Sequence, residues 1–289
     1  REEAIALGYK FVTPKLDYYL QRAKEVHSQK GIIIHCWRGG MRSKSFAEHL
    51  FNNNFNDVYI IENGYKSFRK TVLKSFEGGY KLNTIGGYTG SGKTEILHVL
   101  KEQGEQVIDL EGIANHKGSA FGAIGQKKQP TVEQFENNLF WQWKELDFSE
   151  PIWIEDESRN IGSVLLPQGL YTNIKEQMLY FLDISREERA KYLVKDYGKF
   201  DDTEQAALAL NRISRKLGGL NTQIALEHLK KREFLEVAKI ALAYYDKYYL
   251  RGMEKRAPKR VERIELNKVD KQHNADQIRE YIEKTRINN

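Results

Sequence analysis

A chain of 289 residues, 40% hydrophobic and 30% charged, is long enough for two domains with separate cores and has an ordinary globular composition. It contains no apolar run able to span a membrane and no signal-peptide pattern at its start, so the expected compartment is the cytoplasm. The net charge of +6 is unevenly spread: Arg186 to Arg263 hold 19 Lys plus Arg against 12 Asp plus Glu, and the remainder is about neutral.

The first 30 or so residues read as helix, with Leu16, Tyr19, Leu20, Ala23 and Val26 recurring at three and four and Pro14 dividing two pieces. Gly31-Ile32-Ile33-Ile34-His35 is a short β-branched run of the kind buried in a parallel sheet. It delivers the single cysteine, Cys36. One cysteine excludes an internal disulfide framework and a cysteine-based zinc site, leaving either a buried filler or a chemical group. In Cys36-Trp37-Arg38-Gly39-Gly40-Met41-Arg42-Ser43 the chain turns through two glycines into a helix. A cysteine at a strand end, on a loop closed by an arginine six residues on and leading into a helix start, sits in a field that favours thiolate. The loop N–H groups with the Arg38 and Arg42 guanidinium groups would also attract an anionic donor. A second strand, Val58 to Ile61, leads to Gly64-Tyr65-Lys66-Ser67-Phe68-Arg69. A C-x5-R loop after a strand, then a strand into G-Y-x-x-F-R, resembles the second half of a rhodanese domain. The first strands of that fold have no counterpart and the chain begins at Arg1, so the expectation for residues 1–76 is a rhodanese-like domain lacking its N-terminal part.

A linker over Ser75 to Gly79 precedes the strand Leu82 to Ile85 and then Gly87-Tyr88-Thr89-Gly90-Ser91-Gly92-Lys93-Thr94. That stretch fits G-x-x-x-x-G-K-[ST] in the strand, glycine turn, helix setting the pattern requires. Gly87, Gly90, Ser91 and Gly92 would present backbone N–H groups to a phosphate or diphosphate, Lys93 a full charge, and the Thr94 hydroxyl a ligand for magnesium. Gln106 to Glu111 reads as a strand ending in Asp109 and Glu111, beside a loop containing His116, Ser119 and Phe121. In a doubly wound sheet such loops meet substrate. His116 is either an acid or base near neutral pH or a plain loop histidine. Thr131 to Leu146 is helical, and its stripe of Phe135, Leu139, Phe140, Trp143 and Leu146 is weighed as core ahead of a pocket. Pro151 to Arg159 is an apolar strand ending in acids, where Glu155 or Asp156 would complete a magnesium site opposite Thr94, and Arg159 is near enough to reach the phosphate.

After a further strand, Met178 to Ile184, residues 186–260 form a basic helical segment. Its charge fits either a nucleic-acid partner or a solvated helix face. Arg212, Arg215 and Lys216 lie within about one turn of each other and could meet a phosphate. Tyr244, Tyr245, Tyr248 and Tyr249 make two i, i+4 pairs, for which helix packing is favoured over base stacking. Val261 to Leu266 alternates like an edge strand, and Ala275 to Lys284 closes the chain as a helix. The expected fold is α/β: a partial rhodanese-like domain over 1–76, a P-loop NTPase-like doubly wound parallel sheet over 77–185, the helical insertion, and residues 261–289 completing the sheet.

With I-D-L-E-G-I-A-N-H-K-G-S-A-F-G at 108–122, I-E-D-E-S-R-N-I-G at 154–162 and R-I-S-R-K-L-G-G at 212–219, the chain resembles the bacterial tRNA 2-selenouridine synthase family over nearly its whole length. The resemblance implies a transferase acting on tRNA that bears 2-thiouridine at the wobble position. The thiouridine is S-geranylated from geranyl diphosphate, and selenophosphate then supplies selenium in place of the S-geranyl group. The phosphate loop and magnesium would serve the diphosphate, Cys36 with Arg38 and Arg42 the selenium step, and Arg212, Arg215 and Lys216 the tRNA phosphates or the diphosphate. Phe121, Phe140 and Trp141 are candidates for the geranyl pocket. The alternatives are a nucleotide-hydrolysing enzyme or kinase coupled to a sulfurtransferase, and a non-catalytic RNA-binding regulatory module.

Overall fold

The computed structural model describes residues 2–197, 203–253 and 256–287. The chain divides into two units, Arg1–Val72 and Leu73–Asn289. In the first, α1 (Glu2–Val12) and α2 (Leu16–Val26) are separated by one 3-10 turn at Pro14, whose missing N–H cannot continue the helix. β1 (Ile32–Ile34), α3 (Met41–Phe51), β2 (Val58–Ile60) and α4 (Gly64–Lys74) follow. The two strands pair in parallel, and Ile34 packs with Ala23, Ala47, Leu50 and Phe55. The β-branched run of β1 predicts burial on both sides, yet Ile33 is 66% exposed and its partner Tyr59 is 55% exposed. Helices cover one face of this pair, and alternate side chains necessarily point to the other.

The second unit runs β3 (Leu82–Gly87), α5 (Lys93–Glu102), β4 (Val107–Ile108), α6 (Leu110–Ala114), α7 (Val132–Trp143), β5 (Ile152–Glu155), the hairpin β6 (Asn160–Ile161) and β7 (Val164–Leu165), α8 (Gln168–Glu176) and β8 (Leu179–Ile184). It then continues through α9 (Arg186–Tyr197), α10 (Thr203–Leu217), α11 (Gly219–Lys230), α12 (Phe234–Met253), β9 (Val261–Leu266) and α13 (Lys271–Ile287). Five strands form a wholly parallel sheet in the order β4-β5-β3-β8-β9. The first of them, β3, is central, and later strands extend on both sides of it. The loop leaving β3 therefore sits at the switch point where such sheets bind ligands.

Strand β8 shows how both faces are covered. Tyr180, Leu182 and Ile184 pack with Ile96, Leu97 and Leu100 of α5 and Ala275, Ile278 and Ile282 of α13. Leu179 and Phe181 meet Tyr88 and, from α12, Tyr249 and Met253. Since β9 pairs with β8, helices α9 to α12 are inserted between neighbouring strands, and they bring α12 back over the sheet.

Of the boundaries that differ from the sequence reading, two have a clear physical reason. The first unit ends at Val72 rather than Phe76, because Phe76 is fully buried with its ring against Trp143 of α7 at 5.7 Å. The strand expected over Gln106 to Glu111 is only Val107–Ile108, because the Asp109 side chain accepts the Gly112 N–H and starts α6. In α7, Phe135, Leu139 and Trp143 form the buried stripe, with Phe140, and Leu146 beyond the helix end, only partly buried. That helix starts at Thr131, whose hydroxyl accepts the Gln134 N–H at 3.2 Å. Thr131→Ala is expected to lower unfolding free energy by about 1 kcal/mol in a urea titration, and an unchanged midpoint would show that the cap contributes nothing. Among the described residues no helix is long and apolar enough to cross a membrane.

Candidate functional site

The turn from β3 into α5 is built on Gly92, whose φ of +76° at the helix N-cap is the left-handed conformation that side chains disfavour. Lys93 follows, only 8% exposed, with its Nζ 3.4 Å from the Gly87 carbonyl and 5.9 Å from the centroid of the Tyr249 ring. Ser91 is fully buried, and its Oγ has no hydrogen-bond partner among the described residues. Burial opposes the charge of Lys93, but Tyr249, Glu157, Glu111 and Glu155 around it outweigh that cost and its pKa is raised.

Three carboxyl groups converge on this lysine from two different strand ends. The Thr94 hydroxyl donates to Glu111 Oε2 at 2.9 Å and lies 3.4 Å from Glu155 Oε1, while Glu155 Oε2 accepts the Leu110 N–H at 2.8 Å. Strand register decides between the two acids that the sequence left open. Glu155 ends β5 fully buried beside Thr94, whereas Asp156 turns to Lys175 and Arg256 and is held there by both. Glu157, which the sequence reading passed over, is 5% exposed. It lies just past β5, where its N–H donates to the Glu155 carbonyl at 3.0 Å, and this tight turn at the strand end keeps both acids beside Lys93. Gly118, at φ +68°, lets the next loop close over this group: a Cβ there would lie 2.5 Å from Glu111 Oε1 and 3.3 Å from Glu157 Oε2.

Burial, then the charge of Glu157, pushes Glu111 up to about 8, against the pull of Lys93 and the Thr94 hydroxyl. Burial likewise raises Glu155 and Glu157. Glu111 therefore takes up a proton on folding. Its contribution to stability is full below the unfolded value near 4.5 and is lost as pH rises through about 8. In magnesium-free buffer the melting temperature should fall from about pH 5 to about pH 8, and Glu111→Gln should flatten that slope. An unaltered slope in the variant would contradict the assignment.

The phosphate-loop pocket is lined by Thr89, Gly92, Lys93, Thr94, Glu111, Ser119, Leu193 and Tyr249, among others. Thr89, Ser119 and Leu193 also line a second cavity, otherwise walled mainly by Phe121, Ile124, Val194, Leu229, Phe234, Val237 and Leu242. The two abut. Tyr245 of α12 joins that wall and accepts the Ala120 N–H through its hydroxyl at 2.9 Å. A buried ion pair fixes α12 against the loop. Arg189, 2% exposed, donates to both Asp246 carboxylate oxygens at 3.0 Å, to the Thr89 carbonyl at 3.0 Å and to the Ile184 carbonyl at 2.9 Å, with its guanidinium 4.7 Å over the Tyr88 ring. Sequence reasoning did not find this pair, since nothing in the spacing of residues 189 and 246 links them.

The remaining predicted residues are distributed unevenly. Asp109 lines the phosphate pocket, but its oxygens are engaged by the Gly112 N–H at 2.7 Å and by His98 Nε2 at 2.8 Å. His116 is 8% exposed, with Nδ1 unpartnered among the described residues, and does not line the pocket. Burial, with the Arg212 charge added, holds its pKa below the ordinary imidazole value, so it is a neutral group at pH 7. Arg159 is exposed and is not among the pocket residues. Arg212, Arg215 and Lys216 lie exposed on α10, make no ion pair among the described residues and do not line the pocket. Phe121 does line the apolar cavity; Phe140 and Trp141 do not, and Trp141 is 53% exposed with Lys144 Nζ 5.0 Å over its ring.

In the first unit, Cys36 follows β1 on a loop that the start of α4 supports. The Tyr65 N–H donates to the Cys36 carbonyl and the Lys66 N–H to the Trp37 carbonyl, each at 2.9 Å. Cys36 Sγ accepts the Gly40 N–H at 3.2 Å and lies 3.3 Å from Ser43 Oγ. The Ser43 hydroxyl is the largest influence on the thiol; burial opposes it, the Ser43, Gly40 and Arg38 backbone groups add to it, and the pKa falls to about 6. The loop therefore favours thiolate through Ser43 and backbone N–H groups. Arg38 and Arg42 are both exposed, and Arg42 lies along a groove lined by α1, α2 and α3.

A central parallel strand, a glycine turn and a buried lysine ringed by carboxyl groups define a phosphate-loop α/β protein. The family described as tRNA 2-selenouridine synthase AAA domain matches residues 80–282. Among curated relatives, the tRNA 2-selenouridine synthase of Sulfurovum sp. (strain NBC37-1) is 32% identical over 88% of this chain and 78% of the relative. The proteins of that name from Nitrosomonas europaea and Shewanella frigidimarina are 30% and 32% identical over 88% and 89% of this chain and 79% and 78% of their own lengths. The chain belongs to the tRNA 2-selenouridine synthase family.

Proposed function

We propose that this chain acts on tRNA carrying 2-thiouridine at the wobble position, S-geranylating it from geranyl diphosphate at the phosphate loop and then exchanging the S-geranyl group for selenium from selenophosphate. The observation that carries the first step is the apolar cavity abutting the phosphate pocket. A diphosphate bound at Lys93 would have its organic substituent directed past Thr89, Ser119 and Leu193 into a wall of Phe121, Ile124, Val194, Leu229 and Phe234. A hydrocarbon chain gains roughly 0.8 kcal/mol per buried CH2 in such a cavity, whereas a purine would leave its ring nitrogens without partners.

Geranyl transfer needs the departing pyrophosphate stabilised, and Lys93 with the backbone N–H groups of the glycine turn would supply that. Thr94, Glu155 and Glu111 offer the hard oxygen donors that magnesium takes, and the ion would neutralise charge on the leaving group. Magnesium at such a site draws most of its ligands from phosphate and water. For the selenium step, the Cys36 thiolate with the Gly40 N–H and the nearby Arg38 and Arg42 suits an anionic selenium donor. Arg212, Arg215 and Lys216, exposed and without ion pairs among the described residues, are assigned to tRNA phosphates.

The test is to incubate the protein with thiolated tRNA and geranyl diphosphate and to weigh the released nucleosides. S-geranylated 2-thiouridine is expected. Unmodified 2-thiouridine, accompanied by nucleotide hydrolysis, would replace this reading with that of a nucleotide-dependent enzyme.

A further inference from the structure

We propose that Tyr249 is a further catalytic residue, the face of its ring stabilising the positive charge that develops on the allylic carbon as pyrophosphate departs. This rests on the geranyl reading above and assigns the group that meets the reacting carbon.

In a diphosphate ester the reacting carbon is bonded to the phosphate oxygen, so it must sit where the phosphate pocket and the apolar cavity join, beside Thr89, Ser119 and Leu193. Tyr245 lines the apolar side of that junction and Tyr249 the phosphate side. They are four residues apart on α12, hence on one face of the helix. The buried Arg189–Asp246 pair fixes this stretch of helix to the Thr89 carbonyl. The ring of Tyr249 is already used by a cation, Lys93 Nζ, at 5.9 Å from its centroid. A bound diphosphate would draw the lysine charge to its oxygens and leave the ring facing the carbon next to them.

A carboxylate would be a poor substitute for the ring, because it would capture the cation as an ester. A neutral aromatic face stabilises charge without forming a bond. Burial keeps the Tyr249 phenol up at about 12, so no phenolate competes for the allylic group at neutral pH. In the step itself the C1–O bond breaks and its electron pair leaves with pyrophosphate. The thiocarbonyl sulfur of the base then bonds C1, and the base loses its N3 proton to the released pyrophosphate or to water.

The test uses the full chain with thiolated tRNA and geranyl diphosphate, comparing wild type, Tyr249→Leu, Tyr249→Phe, and phenylalanine analogues at 249 bearing one to three ring fluorines. Fluorination drains the negative ring face at nearly constant shape, which a purely structural role would not register. Tyr249→Leu should lose roughly thirtyfold in kcat. Tyr249→Phe should stay close to wild type, each added fluorine should lower kcat further, and KM for the donor should hold steady. A fluorine series with level kcat, an effect confined to KM, or a Phe variant as impaired as Leu would each overturn the proposal. A wild type inert toward geranyl diphosphate would remove the reading beneath it, whereas an active wild type with an unimpaired Leu variant would remove this inference alone.

Discussion

Lys93→Ala should lower kcat/KM for geranyl transfer by roughly 10²–10³ while leaving the protein folded. The lysine is buried among Glu111, Glu155, Glu157 and Tyr249 and supplies the cation that faces the phosphate position. Burial already raises all three carboxyl pKa values, which eases the loss of their counter-charge. What is lost is the attraction for diphosphate, and any carboxylate that does ionise then repels it. The check is nucleoside mass analysis beside a melting curve. A variant that melts normally and still geranylates within fivefold of wild type would exclude the phosphate loop as the transfer site. Exchange of selenium into tRNA geranylated beforehand should survive, because that chemistry is assigned to Cys36.

Cys36→Ser should give the opposite pattern, with geranylation retained, selenium incorporation lost by at least about 10³, and S-geranyl tRNA accumulating. The thiol itself can be titrated by its rate of alkylation. The thiolate is the reactive form, so the rate should rise through about pH 6 and level off above it. Ser43→Ala removes the largest influence holding the pKa down and should move that midpoint upward. A midpoint in the ordinary thiol range for wild type, or one indifferent to Ser43, would refute the loop geometry as the source of reactivity.

The phosphate loop was readable from residues 82–100 because its chemistry is local. A strand, two glycines at positive φ, a lysine and a helix start are all contiguous, and the backbone conformation needed is one that only glycine adopts freely. The strands β5 and β8 were equally legible, being short apolar runs that a sheet buried on both faces demands. Strand β1 misled for the same reason, since its run of isoleucines looks doubly buried although one face of the two-stranded sheet is open. Asp109 lines the pocket, as its place after a strand suggested, but it also caps α6 and holds His98, which the spacing did not reveal.

Taken by itself, the order of residues determined that this protein has a glycine turn between a strand and a helix, a cysteine loop after β1 and a basic helical insertion. Each is set by bonding within a few neighbouring positions. Only the tertiary structure decided that Glu155 rather than Asp156 faces Thr94, that Glu157 joins it, and that α12 returns Tyr245 and Tyr249 to the loop. Those outcomes depend on strand register and on how an inserted helix packs over a sheet from more than a hundred residues away, and such distant contacts leave no periodic trace in the chain that makes them.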